Sequence, residues 1–352
     1  MTKGIFSTIF IAIISIYGVA QTPQFAVVRP DGTTYICPSW DSAYNKSQDG
    51  DNVYLPGVGL TSAITNGITI NKRLFLYGTG HHPDSSATTG KTIILGGFSI
   101  QSGASGGSIE GVNITGGIGF HFTGKRLNGF LIKRCRIPTI QIEPSNNPPL
   151  DSFPTNILVT ECIVSTIYCS LATSGSQAFT KNLILGQMLN PNNCTVKNNA
   201  FLFSGSISLG TPFNNSTFEN NIFLQANPIQ GSSCNNNYYN NLKLNGNSFL
   251  NGCTSNSGIE TGTMSVTYIS DIFVSYNPAS PNFPYSDDYH LKPGCVGINA
   301  GSDGTDVGIY GTVTPTSLGW VPSNPHIYFK QVSDQTNNNG QLQVQFKIKT
   351  GN

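Results

Sequence analysis

Two short groups of residues have the side-chain types and the spacing that chemistry requires. The first lies in the run His81–Asp84 and the second between Asp287 and His290. Imidazole and carboxylate groups at such spacing can transfer protons or hold a metal ion. Both runs also suit polar surface loops, since Pro83 and the surrounding Gly, Ser and Thr residues are loop formers. The weak catalytic candidates are therefore His82, Asp84, Asp287, Asp288 and His290.

Further candidates for binding come from carboxylates near the end of the chain and from aromatic residues. Asp303 and Asp306 lie in a Gly-rich stretch, where they would either cap backbone N–H groups or help to hold calcium. Tyr238, Tyr239 and Tyr268 are weak candidates for stacking on sugar rings, although tyrosine in strands more often packs in a core. The sequence identifies no cofactor and leaves Ca²⁺ open. Acidic residues between positions 100 and 270 are too sparse for an obvious calcium cluster: Glu110, Glu143, Asp151, Glu161, Glu219 and Glu260.

The N-terminus predicts the cellular compartment. Lys3 precedes an apolar run from Ile5 to Tyr17, and Gly18 and Ala20 are the small residues expected at a cleavage site. Residues 1–20 therefore predict a signal peptide rather than a membrane anchor, because the apolar run is shorter than a bilayer needs. We expect a secreted protein, extracellular or periplasmic, with no integral membrane segment after signal removal. Its eight cysteines permit disulfides, but no spacing selects a pairing.

Composition favours strands and turns and argues against a nucleic-acid partner. Only 10% of the 352 residues are charged, and the chain has 39 Gly and 20 Pro. The formal net charge of +1 and the lack of a basic run provide no field to attract a polyanion such as DNA or RNA. A chain of this length that repeats one kind of layer is typical of a solenoid.

A degenerate repeat predicts the architecture. An apolar residue, two others, Asn or Cys, one other and an apolar residue recur from positions 132, 159, 196, 218 and 234, and the run from 109 fits with Val112 at the fourth position. Three of the five spacings suit one coil of a β-solenoid, whereas the gap from 159 to 196 requires an inserted loop and the last spacing is short. A β-sandwich remains the alternative, with the irregular spacing in its favour. Stacked coils would align the fourth residue of each repeat in a structural ladder of Cys135, Cys162, Asn199, Asn221 and Asn237.

The sharp bend of each coil needs a residue near left-handed backbone torsions, which Asn tolerates better than most residues. We therefore expect Asn199 and Asn221 to have such torsions and to bond to each other along the stack.

The two ends of the chain differ from the repeats. Trp40, Ala43 and Tyr44 follow helical spacing after the potential N-cap Ser39, so residues 21–60 predict an N-terminal cap helix and the first coil. The parallel β-helix is expected over residues 61–314. Residues 315–352 read as a Pro-rich linker followed by a β-hairpin tail, with two alternating runs around a turn at 336–340.

Motifs near both ends resemble a known family. GDNVYLPG from Gly50 resembles the GD-x-I-x-L-x-x-G first coil of secreted bacterial parallel β-helix proteins of the pectate-lyase-like superfamily, and INAGSDGTDVGIYGT from Ile298 resembles their closing motif. The resemblance implies an all-β, single-stranded right-handed parallel β-helix. Activity differs widely within that class, so the resemblance predicts the fold and leaves the reaction open.

Two functions are consistent with the sequence. The first is a non-enzymatic extracellular or cell-surface module that binds glycans or forms part of a matrix, which the scarcity of carboxylates favours. The alternative is a polysaccharide lyase or glycoside hydrolase, favoured by analogy with the family; a hydrolase would need paired carboxylates on neighbouring coils. The partner expected in either case is a polysaccharide.

Overall fold

The computed structural model describes residues 24–58, 62–121, 125–142, 153–169, 176–202, 209–210, 213–229, 233–251, 253, 258–277, 285–316 and 320–350. The predicted signal peptide lies outside these residues. None of the described helices is long and apolar enough to cross a membrane.

Two long sheets form the body of the molecule. The first has twelve strands, in the spatial order β2 (Thr34–Cys37), β1 (Phe25–Val28), β3 (Asn52–Tyr54), β5 (Phe75–Tyr77), β8 (Gly107–Glu110), β11 (Asn128–Lys133), β13 (Thr155–Thr160), β15 (Gln177–Thr180), β18 (Cys194–Lys197), β21 (Thr217–Glu219), β23 (Asn237–Tyr239) and β25 (Ile259–Thr261). Strands β1 to β3 pair in antiparallel fashion, and every later pair is parallel.

The second sheet has fourteen strands and is parallel throughout. Its main path runs through β26 (Met264–Val266), β24 (Leu242–Leu244), β22 (Ile222–Phe223), β19 (Ala200–Phe201), β16 (Leu183–Ile184), β14 (Ile163–Tyr168), β12 (Arg136–Gln141), β10 (Ile118–His121), β7 (Phe98–Gln101) and β4 (Ile68–Ile70). Four short strands flank it: β6 (Ile93–Ile94), β9 (Asn113–Ile114), β17 (Met188–Leu189) and β20 (Leu209–Gly210). Because the chain alternates between the two sheets coil by coil, the expected all-β parallel solenoid agrees with this topology.

The interior is filled by residues that repeat in register. Ile109 pairs with Ile132, Ile132 with Val159, and Val159 with Phe179, and all four are fully buried. Phe218 and Tyr238 continue the column with stacked rings 5.3 Å apart. Branched and aromatic side chains thus form one continuous core between the sheets.

Two-residue bends join the first sheet to the second. The first residue of each bend has left-handed torsions, and it is not the ladder residue that the sequence led us to expect. Asn198 and Asn220 both have a φ of 56°, and they precede Asn199 and Asn221. The other non-glycine residues of this bend column are Arg134, Glu161, Lys181 and Asn240. The prediction of left-handed torsions at Asn199 and Asn221 is therefore wrong by one position.

The second residue of each bend forms a buried ladder. The backbone N–H of Cys162 donates to Asn182 Oδ1, that of Asn182 to Asn199, that of Asn199 to Asn221, and that of Asn221 to Asn241, each at 2.9 Å. Cys135 joins the same column, since its N–H lies 3.4 Å from Cys162 Sγ.

Asn237 is not a member of this ladder, contrary to our expectation. It lies inside β23, where it pairs with Thr217 and Ile259. Two repeats that the sequence pattern missed, which begin at Phe179 and Tyr238, supply Asn182 and Asn241 instead. With these repeats in place, the long gap divides into spacings of 20 and 17 residues, and the last spacing increases from 16 to 20 residues.

The N-terminal helix is present as predicted. Helix α1 (Trp40–Lys46) begins after Ser39, whose hydroxyl accepts a hydrogen bond from Ser42 N. Trp40 packs against Phe25 of β1, with ring centroids 6.4 Å apart.

Cysteine chemistry is mostly that of buried thiols. Cys234 and Cys253 form a disulfide with a Cα–Cα distance of 5.4 Å. The other cysteines are free and buried: Cys37, Cys135, Cys162, Cys169, Cys194 and Cys295.

After β26 the chain turns back along the outside of the second sheet. We call residues 267–277, 285–316 and 320–324 the return segment; it contains the antiparallel strands β27 (Phe273–Ser275) and β28 (Asp288–Leu291). Its apolar residues form a second core with the outward side chains of the sheet, among them Ile163, Leu183 and Ile222. Among the described residues, parallel strand pairing thus ends at Val266, whereas the sequence predicted a parallel β-helix up to residue 314.

The return segment crosses the bend column from the last coil to the first. Asn240 Nδ2 donates to Ala300 O at 2.8 Å, and Arg134 Nη1 donates to Val321 O at 3.0 Å. Ser323 N donates to Glu110 Oε1 at 2.7 Å. Beyond it, β29 (His326–Val332) and β30 (Val344–Lys349) pair as the antiparallel hairpin that their alternating pattern predicts.

Candidate functional site

A cluster of four rings and one guanidinium group forms where the return segment reaches the first coils. We call His81, His82, Arg136, Tyr285 and Trp320 the Tyr285 cluster. The two histidines follow β5, Arg136 begins β12, and the two remaining rings come from the return segment. His81 Nδ1 lies 2.9 Å from the Tyr285 hydroxyl, and Arg136 Nη1 donates to the same hydroxyl at 3.4 Å.

Ring packing holds the cluster together. The His81 ring stacks on Trp320 with centroids 5.8 Å apart, and the His82 ring stacks on Trp320 at 5.9 Å. The Tyr285 ring meets His82 edge-on at 5.0 Å. The Arg136 guanidinium carbon lies 5.6 Å from the centre of the Tyr285 ring, within the range of cation–π attraction.

Burial keeps the ring groups of the cluster neutral. His81 is fully buried, and burial, together with the cations Arg136 and Lys91 and the basic ring of His82, holds its pKa well below the usual value. Burial also lowers the pKa of His82, although Asp84 opposes this shift. Burial raises the pKa of Tyr285, with Arg136 acting in the opposite direction. At neutral pH the cluster therefore presents neutral rings beside the Arg136 guanidinium.

A groove extends from Arg136 over the outer face of the second sheet. Its volume is about 360 Å³. Polar groups come from Asn113, Thr115, Arg136 and Ser165, and Pro138 adds apolar surface. The remaining lining residues are Ile114, Ile137, Ile163 and Leu185. None of these residues carries a carboxylate, so the groove offers an amide, two hydroxyls and one guanidinium to a ligand.

The structure separates the two groups of weak catalytic candidates. His82 lies in the Tyr285 cluster. Asp84 is exposed, and its backbone N–H donates to His82 Nδ1 at 3.2 Å. Asp288 and His290 form an exposed pair at 2.6 Å on β28, and the His290 ring stacks on Tyr310 at 3.8 Å.

Asp287 accepts a hydrogen bond from Asn277 N at 3.2 Å. Its carboxylate thus ties two parts of the return segment together.

The tyrosine candidates occupy different environments. Tyr238 is fully buried between Phe218 and Phe249, so it is a core residue and our proposal of it as a sugar platform is wrong. Tyr239 is half-buried on the outer face of the first sheet, and Tyr268 is 65% exposed just after β26.

Asp303 and Asp306 both accept backbone N–H groups. Asp303 Oδ1 accepts from Thr305 N at 3.2 Å and from the Thr305 hydroxyl at 2.7 Å, and these bonds lower its pKa. Asp306 Oδ1 accepts from Asn299 N at 2.9 Å. Within the described ranges, no group of three or more His, Cys, Asp or Glu side chains is arranged to hold a metal ion.

Sequence reasoning missed Arg136, Tyr285 and Trp320. They are far apart in the chain, and only the return path of residues 267–324 brings them together. The one signal in the sequence was the alternation of side chains in this strand, which places Arg136 on the face opposite to Ile137.

Comparison of the chain with protein-family models, with curated proteins and with solved structures finds no match.

Proposed function

We propose that this chain is a secreted, right-handed parallel β-helix protein that binds a glycan without transforming it. The groove beside Arg136 supports the proposal most directly, because it joins hydrogen-bonding groups to apolar surface and is lined by no carboxylate. Sugars are recognised by such mixed surfaces, whereas glycoside hydrolysis needs two carboxylates at the bond that breaks. The mature protein would act outside the cytoplasm, in a matrix or at the cell surface.

The right hand of the solenoid and the secreted location rest on separate arguments. Crossovers between parallel strands of one sheet are right-handed in nearly all proteins, and each coil here makes such a crossover. The leader-like residues 1–20 support export. The motifs at Gly50 and Ile298 support membership of the pectate-lyase-like superfamily.

A binding experiment tests the proposal. The purified protein is titrated with soluble neutral and acidic polysaccharides by calorimetry and is run through gels that contain them. Arg136→Ala should weaken binding roughly tenfold or more, since a hydrogen bond to a charged group contributes about 1.5–3 kcal/mol. Lys292→Ala removes an exposed cation from the return segment and should leave affinity unchanged. If no polysaccharide binds, or if both variants bind as the parent does, the groove is not a glycan site.

One observation favours an enzyme as the second candidate. A lyase needs a cation for the uronate carboxylate and a base for the adjacent proton. Arg136 lines the groove, and the Tyr285 hydroxyl that it contacts lies 2.9 Å from Nδ1 of the neutral His81. Incubation with acidic polysaccharides, followed by measurement of unsaturated products and of reducing ends, separates the two functions. Unsaturated products that disappear in Tyr285→Phe would replace the binding proposal with a lyase.

A further inference from the structure

The C-terminal hairpin leaves apolar side chains in solvent on one of its faces. Val332 pairs with Val344, Lys330 with Phe346 and Ile327 with Ile348, so these residues share that face. The exposed fractions are 40% for Val332, 47% for Val344, 51% for Phe346 and 62% for Ile348. A two-stranded sheet with an uncovered apolar face has little stability of its own, so this face is suited to a partner.

The charge of the hairpin identifies the kind of partner. Residues 326–350 contain Lys330, Lys347 and Lys349 but only one acidic residue, Asp334. The whole chain has a net charge of +1, so the hairpin carries +2 and the remainder carries −1. The cationic charge is thus concentrated on the same hairpin as the exposed apolar face.

The opposite face carries two of the lysines next to aromatic rings. Lys347 Nζ lies 5.0 Å from the centre of the Phe329 ring, and Lys349 Nζ lies 5.4 Å from that of Tyr328. Aromatic and aliphatic groups combined with lysines on a single amphipathic element are typical of segments that lie at the surface of an anionic bilayer.

We propose that the hairpin β29–β30 attaches the protein to membranes that contain anionic lipids. Val344, Phe346 and Ile348 enter the headgroup region, and Lys330, which pairs with Phe346 on the same face, binds lipid phosphate. Lys347 and Lys349 on the opposite face add to the attraction of the hairpin for the anionic surface. The solenoid stays outside the bilayer, joined to the hairpin by the return segment and by the Thr88 hydroxyl, which donates to Tyr328 O at 2.9 Å. This surface is separate from the groove at Arg136, and the inference does not depend on the proposed glycan binding.

The test is co-sedimentation of the whole mature protein with vesicles of phosphatidylcholine alone and with added phosphatidylglycerol. We expect binding only to the anionic vesicles, and we expect it to weaken with salt. Lys330→Gln should reduce affinity about fivefold, and Lys347→Gln and Lys349→Gln, which change the opposite face, should each reduce it less. The double variant Phe346→Ser/Ile348→Ser should reduce it tenfold or more. Val313→Ser, which changes a 90% exposed valine elsewhere, and Arg136→Ala should bind vesicles as the parent does.

Three outcomes would overturn the inference. The first is failure of the protein to bind anionic vesicles although a cooperative thermal melt shows that it is folded. The second is a dimer, detected by light scattering, that Phe346→Ser/Ile348→Ser dissociates; a second copy would then cover the apolar face. The third is binding of the protein to a soluble acidic polysaccharide. If the lysine variants abolish this binding and Phe346→Ser/Ile348→Ser leaves it unchanged, the partner is a glycan.

Discussion

At the scale of single residues, each bend divides its work between two neighbouring positions. Asn220 has left-handed torsions and bonds to the return segment, where Ser302 N donates to its Oδ1 at 2.9 Å. Asn221 points into the stack and accepts from Asn199. Cys135 and Cys162 fill the ladder position in the earlier coils, since a thiol can donate to a carbonyl and accept from an N–H, although weakly.

Asn221→Ala should be strongly destabilising. The Asn199 N–H and Nδ2 groups would both lose the Asn221 Oδ1 acceptor in a buried site, at 2.9 and 3.0 Å. An unsatisfied buried donor costs about 1–3 kcal/mol, so we expect a loss of roughly 2–4 kcal/mol in the free energy of unfolding. Urea denaturation measures it. The control Asn237→Ala, in a half-buried strand position outside the ladder, should lose less than about 1 kcal/mol.

His81 should make the protein less stable in acid. Its pKa is lowered in the folded state, and the unfolded state has the ordinary value of about 6.5. Above that pH both states are neutral and the residue adds no pH dependence. Below it the unfolded chain binds a proton that the folded chain refuses, so the free energy of unfolding falls by up to about 1.4 kcal/mol per pH unit.

Denaturation midpoints between about pH 8 and pH 5 measure this effect. His81→Phe keeps a ring against Trp320 but cannot titrate, and it should have a flatter profile in acid. Parallel profiles for the parent and His81→Phe would show that another group controls the acid sensitivity.

At the scale of elements, the bend column also contains a buried ion pair that spans two coils. Arg134 Nε lies 2.6 Å from Glu161 Oε2, and both side chains are less than a tenth exposed. Lys181 Nζ lies 3.9 Å from the other oxygen of Glu161, and Arg134 also binds Val321 O. The pair therefore connects neighbouring coils to each other and to the return segment.

Arg134→Met should cost about 3–5 kcal/mol, because it leaves the Glu161 carboxylate buried with only the more distant Lys181 as a partner. Adding Glu161→Gln should recover part of this loss, since the uncompensated charge is then gone. A double-mutant cycle in urea measures the coupling between the two side chains. The control Lys197→Met breaks a partly exposed pair with Glu219 and should cost less than about 1 kcal/mol. Equal losses for Arg134→Met and Lys197→Met would contradict this account.

The repeat pattern predicted the strands and bends of those coils in which the ladder residue at its fourth position was identified correctly. It failed at Tyr238, because Lys243 stands in place of the closing apolar residue and the pattern alone cannot distinguish one asparagine of a pair from its neighbour. It overlooked FTKNLI from Phe179, which fits the pattern. At Asn240 and Asn241 the first asparagine makes the bend and the second joins the ladder. In the earlier coils the first position is charged, because Arg134, Glu161 and Lys181 form ion pairs along the stack.

At the scale of the whole molecule, the return segment converts a solenoid with one exposed apolar face into a structure with two cores. From Ile163 to Leu242 the second sheet has apolar residues on its outer face as well as its inner face. Sequence periodicity indicates which strands are apolar on both faces, but it cannot say which distant segment covers them. The fold was therefore predictable in its coils, whereas the Tyr285 cluster was not, because two of its rings belong to the covering segment.

Truncation at two points tests the role of the return segment. A chain that ends at residue 266 keeps every described parallel strand but exposes Ile163, Leu183, Ile222 and Leu242, each at most 1% exposed in the structure. A contiguous apolar surface of this kind is unusual on a soluble protein, so we expect aggregation or strong binding of a hydrophobic dye. A chain that ends at residue 325 keeps the return segment and loses only the exposed hairpin.

The longer truncated chain should remain soluble and melt within a few degrees of the parent, because the hairpin contributes little to either core. Gel filtration, dye binding and thermal melts of the two chains separate the contribution of the return segment from that of the hairpin. If the chain that ends at residue 266 is monomeric and melts like the parent, the coils are stable without their cover, and the second core does not hold the fold together.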